Sequence, residues 1–223
     1  MLVPTTLPAA DGRRQGDGIV ICGWLNGEPP RSEADWRLVA AELERLHDLT
    51  RDWPQRPGFR STRELLVADA GGDVRLDLMP EDAVARIRNA WQAIGDEPVS
   101  IVHGDPGPSN VRMHGRRVGF LDWDEARVDA SLLDLAAIPL DLSATLGAER
   151  LARARRAVDA WEAANGWVIE PAYARRRLAL LEAMERPTAP IAPTTPGKDE
   201  APDGWLPRRA HDQAPRRPGT TLT

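Results

Sequence analysis

Residues 101–137 read IVHGDPGPSNVRMHGRRVGFLDWDEARVDASLLDLAA, and their order decides the fold. Val99 to Val102 is a short apolar run of the buried-strand type, and it delivers His103-Gly104-Asp105 to a loop. Val111-Arg112-Met113 then pairs across Gly115 with Val118-Gly119-Phe120-Leu121 as a hairpin that ends at Asp122-Trp123-Asp124. The outcome is an H-G-D-x-x-x-x-N motif over residues 103–110, followed by an aspartate 12 residues beyond Asn110.

Phosphoryl transfer needs these residue types together. Its transition state spreads charge over the transferred group, so catalysis rests on positioning and on neutralisation by Mg²⁺. One carboxylate orients and deprotonates the acceptor hydroxyl, while an amide oxygen and a second carboxylate are hard ligands for the metal. Asp105, Asn110 and Asp122 are those types in that order. Taken alone, H-G-D also reads as a turn after a strand. His103 reads as structural, its ring bonded to nearby backbone. Asp124, two residues past Asp122, joins the metal site, stays a solvated acid or pairs with Arg127. His47, His114 and His211 lie in no cluster with metal-ligand spacing and are assigned no role.

Working outward, Gly18 to Leu25 is an apolar run that reads as a strand, ended by Asn26-Gly27 and Pro29-Pro30. Ser32 and Asp35 form a capping-box variant ahead of a helix to about Leu49, with Trp36, Val39, Ala40, Leu43 and Leu46 on one face. Residues 50–79 are rich in Pro, Gly and Asp, with a short helix expected at Ser61 to Asp69. Pro80 opens a second helix carrying Val84, Ile87, Trp91 and Ile94, with Gly95 as a left-handed stop. Helical patterns return at Ser131 to Ile138, Ala148 to Ala164 and Pro171 to Arg186. Trp36, Trp91 and Trp161 fall on apolar helical faces and read as core.

The segment from His103 to Asp134 resembles the catalytic loop and metal-binding segment of the aminoglycoside phosphotransferase (choline kinase-like) family, which shares the bilobal protein-kinase fold. The resemblance rests on H-G-D with the asparagine five residues on, on L-D-W at Asp122, and on D-L-A at Asp134. It implies an α+β, protein-kinase-like fold: a mostly helical C-terminal lobe with a small β-hairpin, and an N-terminal lobe that is largely missing. It implies Asp105 as catalytic base, Asn110 and Asp122 as magnesium ligands, and Asp134 as the anchor of the catalytic loop. It also implies that Gly23, Trp24 and Leu25 fall on the inter-lobe hinge and contact the nucleotide. The implied cofactors are ATP or GTP with Mg²⁺, and the implied partner is a small-molecule hydroxyl acceptor, aminoglycoside-like or an amino-alcohol. Residues 1–25 then form a remnant of the N-lobe with the hinge strand, residues 26–186 the kinase-like lobe, and residues 187–223 a disordered tail.

The chain departs from the family in one half of the site. Of its 29 basic residues Lys198 is the only lysine, and Gly12, Gly16 and Gly18 do not make G-x-G-x-x-G. The phosphate-clamping lysine and glycine loop therefore have no counterpart. A gene fragment or late start, a catalytically inactive kinase-like binding or scaffold protein, and a half-site lent by a partner are the three explanations.

Composition closes off other classes. The 223 residues carry 34 acidic side chains against 29 basic ones, for a net charge of −5, which argues against binding nucleic acid by phosphate neutralisation. A single cysteine, Cys22, excludes an internal disulfide and a multi-thiolate zinc site. No membrane span or signal peptide is legible, so the chain reads as soluble and cytoplasmic. Residues 187–223 hold eight prolines and three glycines, too little apolar surface to offset ordering. Glu125, Asp129 and Asp141, close to the motif, suit a cationic acceptor.

Overall fold

The computed structural model describes residues 1–15 and 20–185. The proline-rich tail, Lys198 and the Gly16-Gly18 pair lie outside the described residues.

Helix α1 (Glu33–Leu49) starts where the sequence places it. The Asp35 amide donates to Ser32 Oγ at 3.2 Å and the Ser32 amide to Asp35 Oδ2 at 3.0 Å, which satisfies amides that the first turn would leave open. Its apolar face packs on the hairpin β4 (Val111–His114) and β5 (Arg117–Phe120), turned at Gly115 with φ 60°, in a cluster built on Trp36, Leu43, Phe120 and Leu135.

A second core joins α2 (Glu81–Gln92), α5 (Ala148–Asn165) and α6 (Pro171–Glu185) around Ile87, Trp91, Trp161 and Leu181. The small residues Ala157, Ala160 and Ala164 of α5 are buried there, so the helices approach closely without large side chains on both sides. Between the two cores, β3 (Val99–Val102) pairs antiparallel with β6 (Arg127–Ala130), and α3 (Leu132–Ala137) follows at once. A hairpin of two-residue strands, β1 (Ala70–Gly71) and β2 (Val74–Arg75), and the single-turn α4 (Ser143–Leu146) complete the elements. No helix among the described residues is long and apolar enough to cross a membrane.

Three local expectations are corrected. The stretch expected as a strand from Gly18 to Leu25 is irregular where described, with one bridge between Thr6 and Cys22 and two backbone bonds, Leu7 to Ile21 and Gly23 to Thr5, both 2.8 Å. Gly12, Pro4 and Pro8 interrupt any longer ladder. The helix expected over Ser61 to Asp69 is a 3₁₀ turn, Glu64–Leu66, because Ser61 and Glu64 satisfy each other locally. Gly95 does not adopt a left-handed φ; α2 ends instead through 3₁₀-type bonds from Ile94 to Trp91 and from Gly95 to Gln92. Residues 127–130, which no pattern in the sequence assigns to an element, form β6.

Candidate active site

Strand β3 carries the chain into His103-Gly104-Asp105, and a buried carboxylate on α3 fixes it there. Asp134 Oδ2 accepts the His103 amide at 2.8 Å and Oδ1 accepts the Gly104 amide at 3.0 Å. His47 of α1 donates its Nε2 proton to the same Asp134 Oδ2 at 2.9 Å. Burial pushes the Asp134 carboxyl up, but the bond from His47 and the Gly104 amide outweigh it and hold it below its ordinary value. Gly104 has φ 97°, and a Cβ there would lie 2.7 Å from Glu125 Cβ and 2.9 Å from Glu125 O, so only glycine fits.

The His103 ring is structural, as its sequence context suggests. Its Nε2 faces the Leu121 carbonyl at 2.8 Å, and a carbonyl only accepts, so Nε2 carries the proton. Nδ1 then accepts the Asp105 amide at 3.3 Å. Burial is the largest influence on this imidazole and lowers its pKa, which agrees with a neutral ring. Trp123 and Phe120 pack against it, with centroids 4.6 and 5.5 Å away.

Asn110 Nδ2 donates to Asp105 Oδ2 at 2.9 Å and to the Asp105 carbonyl at 3.1 Å, which identifies the amide nitrogen and leaves Oδ1 as the acceptor end of the side chain. Its backbone carbonyl accepts the Leu121 amide at 2.8 Å. Leu121 is thus held from both sides, by His103 and by Asn110, one residue before Asp122. Asp122 is exposed and has φ 58°, the one non-glycine residue with positive φ among those described. Asp105 and Asn110 are in direct contact, and the hairpin brings Asp122 to the same loop.

A magnesium ion fits this donor set: Asn110 Oδ1 and the Asp122 carboxylate are hard oxygens, and Mg²⁺ is commonly held by one or two protein groups, water and substrate phosphate. No group of three His, Cys, Asp or Glu side chains able to hold a metal occurs among the described residues, so no all-protein cage competes with that arrangement.

Of the hinge residues, Leu25 lies against Gly119 of β5, the Gly23 amide bonds to Thr5, and Trp24 is 85 % exposed. They run along the same hairpin that ends at Asp122.

Of the acidic neighbours, Asp124 agrees with the solvated-acid reading, while Glu125, Asp129 and Asp141 are not where the sequence suggests. Asp124 is exposed and no ion pair joins it to Arg127; Arg127 instead pairs with Asp129 at 2.9 Å, because residues i and i+2 of β6 share a face. Glu125 and Asp129 are buried, Glu125 accepting from Trp161 Nε1 at 2.8 Å and Asp129 from Thr62 Oγ1 at 2.7 Å, so neither faces an acceptor. Asp141 instead accepts the Ser143 amide beside α4, at 2.9 Å. Trp161 is core, as its helical face implies, but its ring also covers the Arg127 guanidinium, 3.1 Å from carbon to centroid. Sequence reading missed Gln55 and Arg56. Gln55 bonds both backbone groups of Val128, at 2.8 and 2.9 Å, and Arg56 Nη1 bonds the Asp124 carbonyl at 2.6 Å.

A helical lobe anchored by a buried aspartate, with an Asp–Asn loop facing an aspartate at a hairpin end, is the architecture of kinase-like phosphotransferases. The chain belongs to the phosphotransferase enzyme family (APH), whose model matches residues 2–178. Among solved structures, choline kinase LicA from Streptococcus pneumoniae is similar at 16 % identity and TM-score 0.54, over 82 % of this chain and 74 % of that one. A choline/ethanolamine kinase family protein from Mesorhizobium loti matches at 19 % identity and TM-score 0.46, over 83 % and 74 % of the two chains. Aminoglycoside phosphotransferase APH(3'')-Id from Streptomyces rimosus, in complex with ADP and streptomycin, matches at 20 % identity and TM-score 0.43, over 80 % and 74 %. No curated protein matches the chain.

Proposed function

We propose that this chain transfers the terminal phosphoryl group of ATP or GTP, with Mg²⁺, to a hydroxyl of a small molecule. The carrying observation is the 2.9 Å bond from Asn110 to Asp105 on a loop whose His103 and Asn110 both grip Leu121, the neighbour of Asp122.

In this reading the Asp105 carboxylate accepts the hydroxyl proton as the new O–P bond forms, and the nucleoside diphosphate leaves with the electron pair of the broken P–O bond. The Asn110 amide keeps the Asp105 carboxylate aimed, and its Oδ1 is available to the metal. Asp122 presents its carboxylate to the metal from a left-handed backbone. When bound, Mg²⁺ supplies neutralisation of the phosphate charge. Neutral His103 holds both loops without competing for the acceptor's proton. Incubation with γ-labelled ATP or GTP and a panel of hydroxyl compounds tests the assignment, and label on none of them overturns it.

One observation favours a second reading, a kinase-like binding protein that does not catalyse: no lysine occurs among the described residues, so the usual cation for a triphosphate is missing. Calorimetric titration with ATP and Mg²⁺ separates the two, because tight binding counts against the second.

A further inference from the structure

Between the loop at residues 56–60 and the β1–β2 hairpin lies an open cleft of about 640 Å³. Its walls are built to hold two side chains in place. Gly72 has φ 58°, and a Cβ on it would come within 3.0 Å of the Phe59 ring; a Cβ on Gly71 would fall 2.7 Å from the Arg60 stem. The Gly72 amide bonds the Gly58 carbonyl at 2.8 Å, which ties the two loops together. The glycines leave room for a ring and a guanidinium stem that any larger residue would displace.

Arg56 connects this cleft to the active site. Its guanidinium lies 3.9 Å over the Phe59 ring, while Nη1 bonds the Asp124 carbonyl two residues beyond Asp122. The cleft lining holds one cation, Arg60, and one acid, Glu64, with the Arg56 guanidinium beside them on Phe59. Neither Arg56 nor Arg60 forms an ion pair among the described residues, and the one acid lining the cleft, Glu64, accepts from the Ser61 amide and hydroxyl at 2.7 and 2.8 Å. Burial raises the Glu64 carboxyl, but the Ser61 bonds and the Arg60 charge outweigh that and keep it ionised and occupied. The acids that would attract a cation, Glu125 and Asp129, are consumed inside the protein.

We infer that the acceptor carries an oxyanion, a carboxylate or a phosphate ester, which Arg60 receives against the Phe59 face while the hydroxyl points toward Asp105. A guanidinium fork matches a two-oxygen anion and is weakly hydrated, so it releases its water readily. This inference rests on the phosphotransferase reading for the word acceptor, and on the cleft alone for the anion.

Calorimetry on the full chain with 4-hydroxyphenyllactate, glucose 6-phosphate, choline and tobramycin tests it. At least one of the two anions is expected to bind and neither cation to do so. Arg60→Glu should weaken the anion by more than about tenfold and Arg60→Lys by less, since lysine keeps the charge but loses the fork. Gly71→Val, which displaces the Arg60 stem without changing charge, should also weaken it, with circular dichroism confirming that each variant is folded. Binding of a cation in place of the anions, binding of neither anion, or an unchanged affinity in Arg60→Glu overturns the inference. Anion binding that depends on Arg60, with no label transferred from ATP or GTP to any acceptor, keeps the anion site and overturns the phosphotransferase reading.

Discussion

His47 Nε2 lies 2.9 Å from Asp134 Oδ2, the oxygen that also accepts the His103 amide at 2.8 Å. A histidine on α1 and an aspartate on α3, 87 residues apart, therefore share one buried carboxylate with the loop that presents Asp105. The carboxylate is ionised and wholly enclosed, and its donors are what make that tolerable.

Asp134→Ala removes an acceptor and leaves two backbone amides and an imidazole proton without it. Breaking such a buried pair costs about 3–5 kcal/mol. His47→Ala removes one donor of three and should cost less, on the order of 1–3 kcal/mol. Urea denaturation of the two variants checks the ranking, and an Asp134→Ala loss no larger than that of His47→Ala would count against the anchoring role.

Acidification should destabilise the fold in two stages. Burial holds the folded His103 below its ordinary value of 6.5, so the unfolded chain takes up that proton first. Stability present above that value is lost as pH falls from there through the depressed folded value. Asp134 follows the same sign at lower pH: its contribution is intact above its ordinary 3.8 and is lost as pH falls through its lowered folded value. Urea midpoints measured between about pH 8 and pH 2 should fall on acidification, with a smaller fall from about pH 7 to 5 in His103→Asn. A midpoint that rises toward acid would contradict both assignments.

Gly104→Ala adds a Cβ 2.7 Å from Glu125 Cβ at φ 97°, where an L residue is strained in any case. Strained backbone and a clash on a loop of this kind cost about 1–3 kcal/mol, and relief by shifting the loop moves Asp105 away from its partners. Hydrogen exchange should show faster exchange at the His103 and Gly104 amides, which Asp134 now protects. Unchanged protection would mean the loop does not depend on this glycine.

Much of this architecture was legible in the chain because its signals are local. The Ser32–Asp35 cap, the stripe from Trp36 to Leu46 and the turn at Gly115 are each read within a dozen residues, and the structure keeps all three. The H-G-D-x-x-x-x-N spacing likewise brings Asn110 onto Asp105. What escaped is non-local or hidden by residue type. His47 looks idle on α1 until α3 folds against it. Arg127-Val128-Asp129-Ala130 carries charges that mask a buried strand, because Arg127 spends its charge on Asp129 and Trp161 and is only 1 % exposed. Gln55 supplies, with one side-chain amide, the two bonds to Val128 that a neighbouring strand would make, and no periodicity marks such a substitute. The short hairpin β1–β2 fails for a simpler reason: two-residue strands have no alternation to detect.

Trp161 separates packing from hydrogen bonding within one side chain. Trp161→Phe keeps an aromatic face over Arg127 but loses the 2.8 Å bond to Glu125, whereas Trp161→Leu loses both. A carboxylate bond of this kind contributes about 1.5–3 kcal/mol and a desolvated cation–π contact about 2. Leu should therefore be clearly less stable than Phe in thermal unfolding. Equal destabilisation would show that the ring over Arg127 contributes little.

Asp105 and Asp122 should fail in different ways. In the proposed mechanism Asp122 presents the anionic protein ligand to the metal, so Asp122→Ala should remove metal-dependent nucleotide binding. Folding should survive that change, because Asp122 is exposed, although alanine tolerates φ 58° less well than aspartate does. Asp122→Asn keeps the backbone preference and removes only the charge, so it should also bind poorly and thereby exclude a backbone explanation. Asp105→Asn should bind nucleotide nearly as well as the parent while transfer falls by about 10²- to 10⁴-fold, the usual loss for a positioned base. The Asn110 amide would then face an amide in place of a carboxylate, which either presents its oxygen to Asn110 Nδ2 or flips and breaks the contact. Calorimetry with ATP and Mg²⁺ beside a transfer assay reads the two effects separately. Equal loss of nucleotide affinity in Asp105→Asn and Asp122→Ala, with both proteins folded, would show that the two carboxylates do not divide the work as proposed.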